Sequence, residues 1–193
     1  MKVPEQNPFE SGARKVIPAV LVYLRTGTHA ESKILMIHRV DSAGTDFHSG
    51  KWNGLGGKCE LDESPPQTAK RETLEEAGIE LNESEFIPLG VLQFPNFKPA
   101  QLGLPDSPGS KRACGEDWIV FVFTANVPED RLAEIKKTCD EGELHWKDVS
   151  ELESLNVWPG DRHFLSYVKA GTPFMGTIWY TNGAVTRHWV TRI

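Results

Sequence analysis

The chain has 193 residues, 39% hydrophobic and 25% charged, with a net charge of -6. That length suits one domain with a sizeable core, and the composition excludes disordered and fibrous classes. The acidic balance argues against a dedicated nucleic-acid surface, and no apolar run approaches the ~18–20 residues of a membrane helix.

Residues 1–14, punctuated by Pro4, Pro8 and Gly12, read as a flexible arm without the apolar core of a secretory signal. Residues 15–193 read as a single domain. "VIPAVLVYL" (16–24) and "KILMIHRV" (33–40) are strand-like runs joined by a hairpin or short loop. The segment 41–50 is a loop by composition. A capping box follows: Ser64 as N-cap, Pro65 at the first helical position and Gln67 reaching back, with Gly78 as the stop. "FIPLGVLQF" (86–94) and "DWIVFVFTANV" (117–127) are strands, and the stretch 95–116 between them, with four prolines and three glycines, reads as a long loop. "PEDRLAEIKKTCD" suggests a helical turn, "GELHWKDV" (142–149) a strand, "SELESLN" (150–156) a short helix and "PGDRHFLSYVKAG" (159–171) a third helix. The last two strands meet at Asn182-Gly183, a hairpin signal. These elements predict an α+β domain. The three cysteines, Cys59, Cys114 and Cys139, form no C-x-x-C pair, which points to a reducing, cytoplasmic compartment rather than a disulfide or zinc framework.

One helix stands out. Glu72, Glu75 and Glu76 share a narrow arc of it, and like charges at this spacing weaken a helix by a few tenths of a kcal/mol. Glu75 and Glu76 also occupy the last turn, where the helix dipole disfavours acids. A solvated acidic face is the plain reading. The glycine-rich "NGLGGK" just ahead offers close backbone approach to a ligand, and hard divalent cations seek clustered carboxylate and carbonyl oxygens. A bound cation would offset the repulsion.

This stretch resembles the Nudix box, G-x5-E-x7-R-E-U-x-E-E-x-G-U, with U a bulky aliphatic residue. Gly57, Glu63, Arg71, Glu72, Glu75, Glu76, Gly78 and Ile79 fall on the pattern without a gap, and only Thr73 departs, at a U position. The resemblance implies a Nudix hydrolase, an α/β/α sandwich around a mixed β-sheet that cleaves nucleoside diphosphate derivatives with Mg²⁺ or Mn²⁺. It further implies that Glu72, Glu75 and Glu76 are metal ligands and catalytic groups, with Glu72 or a neighbour the base for the attacking water. The Gly56 carbonyl joins them as a ligand. Arg71, grouped with the catalytic set, and Glu63 orient the carboxylates.

Flanking residues narrow the substrate. "GKWNGLGGK" and the segment from "LNVWPGD" onward resemble the MutT-like 8-oxo-dGTP diphosphatases, whose pocket uses the Asn of W-N-G and a W-P-D-D segment. Those positions are Asn53 and Trp158, Pro159, Gly160, Asp161 here, so Gly160 replaces the first acid. The late metal-site glutamate maps to Glu141, with Glu143 its competitor. Each pocket residue has a rival role: Trp158 as core, Asn53 as a turn former, Asp161 as the N-cap of the next helix. Phe47 is a further candidate for the pocket lining, and Lys58 and Arg39 for substrate binding, with Arg39 facing phosphates. The implied reaction is hydrolysis of oxidised purine triphosphates, as in nucleotide-pool sanitisation, with an ionised Asp161 favouring guanine over adenine. The substrate is a small nucleotide, with no membrane or stable nucleic-acid partner, and the protein a monomer or homodimer. RNA 5′ ends, nucleotide sugars or dinucleoside polyphosphates are the alternative substrates, and a non-catalytic sensor the alternative class.

Overall fold

Apolar side chains alternate along the first two strands, and the alternation divides the interior between two faces of one sheet. Strand β1 (Arg14–Thr26) sends Ala19 and Tyr23 to one face and Val20, Val22 and Leu24 to the other. Strand β2 (Lys33–Arg39) repeats the division, with Ile34 and Met36 opposed to Leu35 and Ile37. The computed structural model describes residues 14–27, 32–40, 49–98 and 115–193.

The remaining elements are β3 (Trp52–Asn53), α1 (Pro65–Ala77), β4 (Ile87–Lys98), β5 (Gly115–Asn126), β6 (Thr138–Cys139), β7 (Gly142–Asp148), α2 (Leu165–Ala170), β8 (Phe174–Thr181) and β9 (Ala184–Arg192). The strands form one mixed sheet in the order β6-β7-β2-β1-β5-β4-β8-β9, with β3 alongside β2. Its spine is the parallel β1–β5 ladder, in register from Arg14 opposite Gly115 to Arg25 opposite Asn126. Helix α1 covers one face through Ala69 and Ala77, and α2 covers the other through Leu165 and Val168. This is the expected α+β sandwich.

Between β1 and β2 the sheet opens. The two strands pair only at their turn end, Arg25 with Ile34 and Thr26 with Lys33. The glycine-rich segment 54–58 enters the gap as a strap on β1. Val22 N–H donates to the Leu55 carbonyl at 2.7 Å, and Val20 N–H to that of Gly57 at 2.8 Å. Gly56 lies so close that a Cβ would stand 2.2 Å from the Val20 carbonyl oxygen, at a φ of +137°. Only glycine fits both the space and the backbone.

Helix α1 begins and ends as its sequence dictates. Gln67 N–H reaches the Ser64 hydroxyl, the Gln67 carboxamide returns to Ser64 N–H, and Gly78 closes the helix at φ +77° with its N–H on the Leu74 carbonyl. The buried stripe is Thr68, Ala69, Thr73, Glu76 and Ala77. Thr73 fits its site by β-branched shape, although its buried hydroxyl has no partner among the described residues.

Three expectations are corrected. Residues 150–156 form no helix. Glu151 N–H bonds the Asp148 carbonyl, Ser154 N–H bonds that of Glu151, and the Ser154 hydroxyl takes the same oxygen. So short a segment settles for turns, because one helical turn costs more order than it returns. The helix expected over 159–171 breaks at Phe164 (φ -126°, ψ -14°) into a 3₁₀ turn at Asp161–His163 and α2, as the Phe164 ring buries completely. Part of the loop expected over 95–116 is strand: β4 runs to Lys98 and β5 starts at Gly115, with Lys98 opposite Glu116. The rest of that loop, like the arm before Arg14, lies outside the described residues.

The strap's close approach has a measurable cost. Gly56→Ala is expected to lose about 2–5 kcal/mol of unfolding free energy, combining overpacking with a strained φ. Gly50→Ala, also at positive φ but with no atom of the described residues within 4 Å of its Cβ, should lose only ~1–2 kcal/mol. Urea denaturation of both variants checks this, and equal losses would contradict the packing explanation.

Candidate active site

The three carboxylates on α1 share an arc but not an environment. Glu76 is buried, at 6% exposure, and its Oε2 accepts a 2.8 Å hydrogen bond from Gly56 N–H. Burial pushes its pKa far up, and the nearby Glu141 and Glu72 add to the rise, against the pull of the Gly56 amide. Glu72 is half-buried, and burial raises its pKa against the lowering pull of Arg71. Space for its carboxylate comes from Gly57, where a Cβ would lie 2.2 Å from Glu72 Oε1. Glu75 stands at the mouth, more than half exposed.

Arg71 ties the group together. Its Nε and Nη2 make a bidentate pair with Glu63 at 2.8 and 3.0 Å. Its Nη1 donates to Glu72 at 2.8 Å and Glu75 at 3.3 Å, and Nη2 also reaches the Lys58 carbonyl at 3.1 Å. The Arg71 guanidinium holds Glu63 down to about 2, helped by the Glu60 amide and the Thr68 hydroxyl. One planar cation thus fixes the start of the box, the helix and the segment between them.

Glu141 arrives from the turn between β6 and β7. Gly142 lets that turn close on β2, since a Cβ there would stand 2.1 Å from the His38 carbonyl oxygen. Glu141 pairs with the guanidinium of Arg39 and comes within hydrogen-bonding reach of Glu76. Glu143 instead faces His145, 3.2 Å away. Arg39 therefore sits on a carboxylate rather than on an open surface. Among the described residues no three acidic, histidine or cysteine side chains stand ready around one metal point. Glu72 and Glu75 are paired with Arg71, and Glu141 with Arg39.

A pocket adjoins this face through Gly56 and Gly57. Asn53 lines it from β3, and its buried Oδ1 has no hydrogen bond among the described residues, so a turn-forming role does not apply. Trp158 and Asp161 line the far side, and Trp158 is only half-buried. Asp161 is no N-cap: Gly160 takes that position, and no side chain caps the turn. Burial pushes the Asp161 carboxyl up to about 7, against the pull of Lys51. The expectation of a fully ionised Asp161 is thereby modified, because near neutrality the group carries a proton part of the time.

The aromatic wall was not visible from sequence. Phe94, Phe97, Trp118 and Tyr180 line the pocket from three strands, and Phe94 stands opposite Trp118 in the β4–β5 ladder. Their rings lie 5.4–6.3 Å apart, and the Lys58 ammonium sits 5.3 Å from the centre of the Trp118 ring. Phe94 and Phe97, three residues apart, reach the same face because the register of β4 against β5 shifts between Phe94 and Lys98, an irregularity that strand alternation does not announce. Phe47 falls outside the described residues.

The chain is similar in sequence and fold to known proteins. The chain is 29% identical over 133 residues to YvcI, an uncharacterised Nudix hydrolase of Bacillus subtilis, spanning 68% of this chain and 73% of that relative. It is likewise 29% identical over 133 residues to an oxidized purine nucleoside triphosphate hydrolase of Danio rerio, across 64% of this chain and 72% of that one. The crystal structure of a MutT protein from Bacillus halodurans superposes with a TM-score of 0.66 at 22% identity, covering 90% of this chain and 97% of the other. The NUDIX domain model matches residues 15–168, which hold both the box and the Trp158-Asp161 wall, and the chain belongs to the Nudix hydrolase family.

Proposed function

We propose that this Nudix hydrolase is a nucleoside triphosphate pyrophosphohydrolase that cleaves oxidised purine nucleotides, 8-oxo-dGTP to 8-oxo-dGMP and diphosphate. The observation that carries the reading is Asp161, a largely buried carboxyl beside Trp158 in an aromatic pocket that opens onto the Glu76 face. A flat ring fits between aromatic walls, and a carboxyl at their base reads its polar edge. The name of the Danio rerio relative points the same way. On this reading residues 15–193 act as one domain in nucleotide-pool sanitisation, in the cytoplasm.

The acidic face suits a hard divalent cation, since Glu76 is a buried carboxylate crowded by two others and answered by one backbone amide. Mg²⁺, or Mn²⁺ in its place, would be held by Glu72, Glu75, Glu76, Glu141 and the Gly56 carbonyl, and would polarise phosphoryl oxygens and acidify a water. Glu72, half-buried with a raised pKa, takes the proton of the attacking water. The water oxygen bonds to phosphorus as the phosphoanhydride P–O bond breaks and diphosphate leaves. Arg71 keeps Glu72 and Glu75 aimed, and Arg39 does so for Glu141. On this reading Asn53 Oδ1 takes a donor of the substrate, and Lys58 meets the phosphates.

Release of diphosphate from a panel of nucleotides with Mg²⁺ tests this reading. The expected outcome is fastest cleavage of 8-oxo-dGTP. Faster cleavage of a nucleotide sugar, a dinucleoside polyphosphate or capped RNA would replace it with another Nudix activity. Glu76→Gln keeps an acceptor for Gly56 N–H, so the fold should persist, with a metal-free melting temperature equal or slightly higher. Its turnover should fall by about 100-fold or more, because a metal ligand matters most in the transition state. Turnover within a few-fold of wild type would remove Glu76 from the metal site.

The Asp161 carboxyl sets a pH dependence. Above about 7 it is ionised and accepts both N1–H and N2–H of guanine. Below that it carries a proton to offer the N1 acceptor of an adenine ring. The ratio of kcat/KM for 8-oxo-dGTP over 2-hydroxy-dATP should therefore rise between pH 6 and 8. Asp161→Asn should lower kcat/KM for 8-oxo-dGTP by about 10-fold and flatten that rise. A pH-independent wild-type ratio would exclude Asp161 as the base reader.

A further inference from the structure

Gly160 has no backbone reason to be glycine. Its φ of -67° and ψ of -33° are open to any residue. The reason is space. A Cβ at 160 would lie 2.3 Å from the Tyr180 hydroxyl oxygen, 3.1 Å from its Cζ and 3.2 Å from Ile178 Cγ2. The hydroxyl of a residue on β8 fills the volume a side chain at 160 would take. It is anchored there by the Gly160 N–H, which donates to it at 2.7 Å.

That bond uses one lone pair of the hydroxyl and leaves its proton to spend. Among the described residues no protein acceptor takes it. Burial, with Asp161 nearby, holds the phenol well above its ordinary range, so the proton stays through neutral pH. Tyr180 lines the pocket beside Asp161, and its ring is braced by Phe94 and Phe97 at 6.3 and 5.9 Å.

We infer that Tyr180 is a specificity-determining residue, whose hydroxyl donates to an acceptor on the substrate base next to the donors that Asp161 receives. Donor and acceptor side by side match a ring N–H flanked by a carbonyl, the keto edge of a purine. An amino-purine puts a donor where the carbonyl would be. The pair Gly160 and Tyr180 thus sets a neutral donor, reaching in from β8, where a side chain at 160 would stand. The inference rests on the proposed purine reading for the identity of the base, and on the packing alone for the position of the hydroxyl.

The test compares wild type, Tyr180→Phe, Gly160→Ala and the double variant on 8-oxo-dGTP, dGTP, 2-hydroxy-dATP, dATP and CTP, with melting temperatures alongside. Tyr180→Phe keeps the ring and removes only the oxygen. It should cut the preference for keto over amino purines by about 10-fold, the effect of one lost hydrogen bond at a mismatched edge. Gly160→Ala should expel the hydroxyl and give a similar loss, and the double variant should lose no more than either single change. A structural role would lower all five substrates in proportion. An unchanged selectivity ratio in Tyr180→Phe overturns the inference. The wild-type ranking alone judges the purine reading. If wild type prefers another nucleotide and Tyr180→Phe abolishes that preference, the residue's role stands and the purine reading falls.

Discussion

The hydrogen bonds between the strap at 54–58 and β1 set the geometry on which the rest of the site depends. They bring Gly56 against the Val20 carbonyl, and so aim the Gly56 amide at Glu76 in the last turn of α1. The same strap carries Gly57 past Glu72 and continues from Asn53 in β3. Catalytic face and pocket are therefore two sides of one short peptide. Its glycines exist for contact distance, because a side chain there would stand where a backbone oxygen or a carboxylate already is.

Charge on this face is graded by depth. Glu76 lies in the interior, Glu72 at the boundary and Glu75 in solvent, and two guanidiniums hold the outer carboxylates in reserve. An acidic face of this kind can meet a polyphosphate only with cations between the two sets of anions. Arg71 and Arg39 keep that acidic surface intact without neutralising its innermost member.

What the sequence revealed was local. The capping box, the glycine stop and the carboxylate spacing of α1 are encoded within a few residues of where they act, and so were readable. Gly57 to Ile79 carried the family, and Trp52 to Gly54 and Trp158 to Asp161 located the pocket's ends. Its middle was hidden. Phe94, Trp118 and Tyr180 meet because β4 lies between β5 and β8, an order no local pattern states. The protonation of Asp161 was hidden for the same reason, since burial is a property of the assembled walls. The helix expected over 150–156 failed because so short a segment settles for turns, and the Asn156 carbonyl at its end takes the Trp52 amide at 3.0 Å.

The parallel β1–β5 ladder has a kinetic meaning. It joins Arg14 to Gly115 and Arg25 to Asn126, so the central pairing of the sheet closes a loop of roughly a hundred residues. Such long-range contacts form late and slowly, while α1, with caps of its own, has the local contacts that form early. In that order the carboxylates appear on a nascent helix before β1 exists as a strand to receive the strap. Glu76 then meets water rather than the Gly56 amide, and the pocket has neither wall nor floor. Burial of Glu76 and closure of the pocket both need β1 paired with β5, so a chain with the helix alone would lack the site.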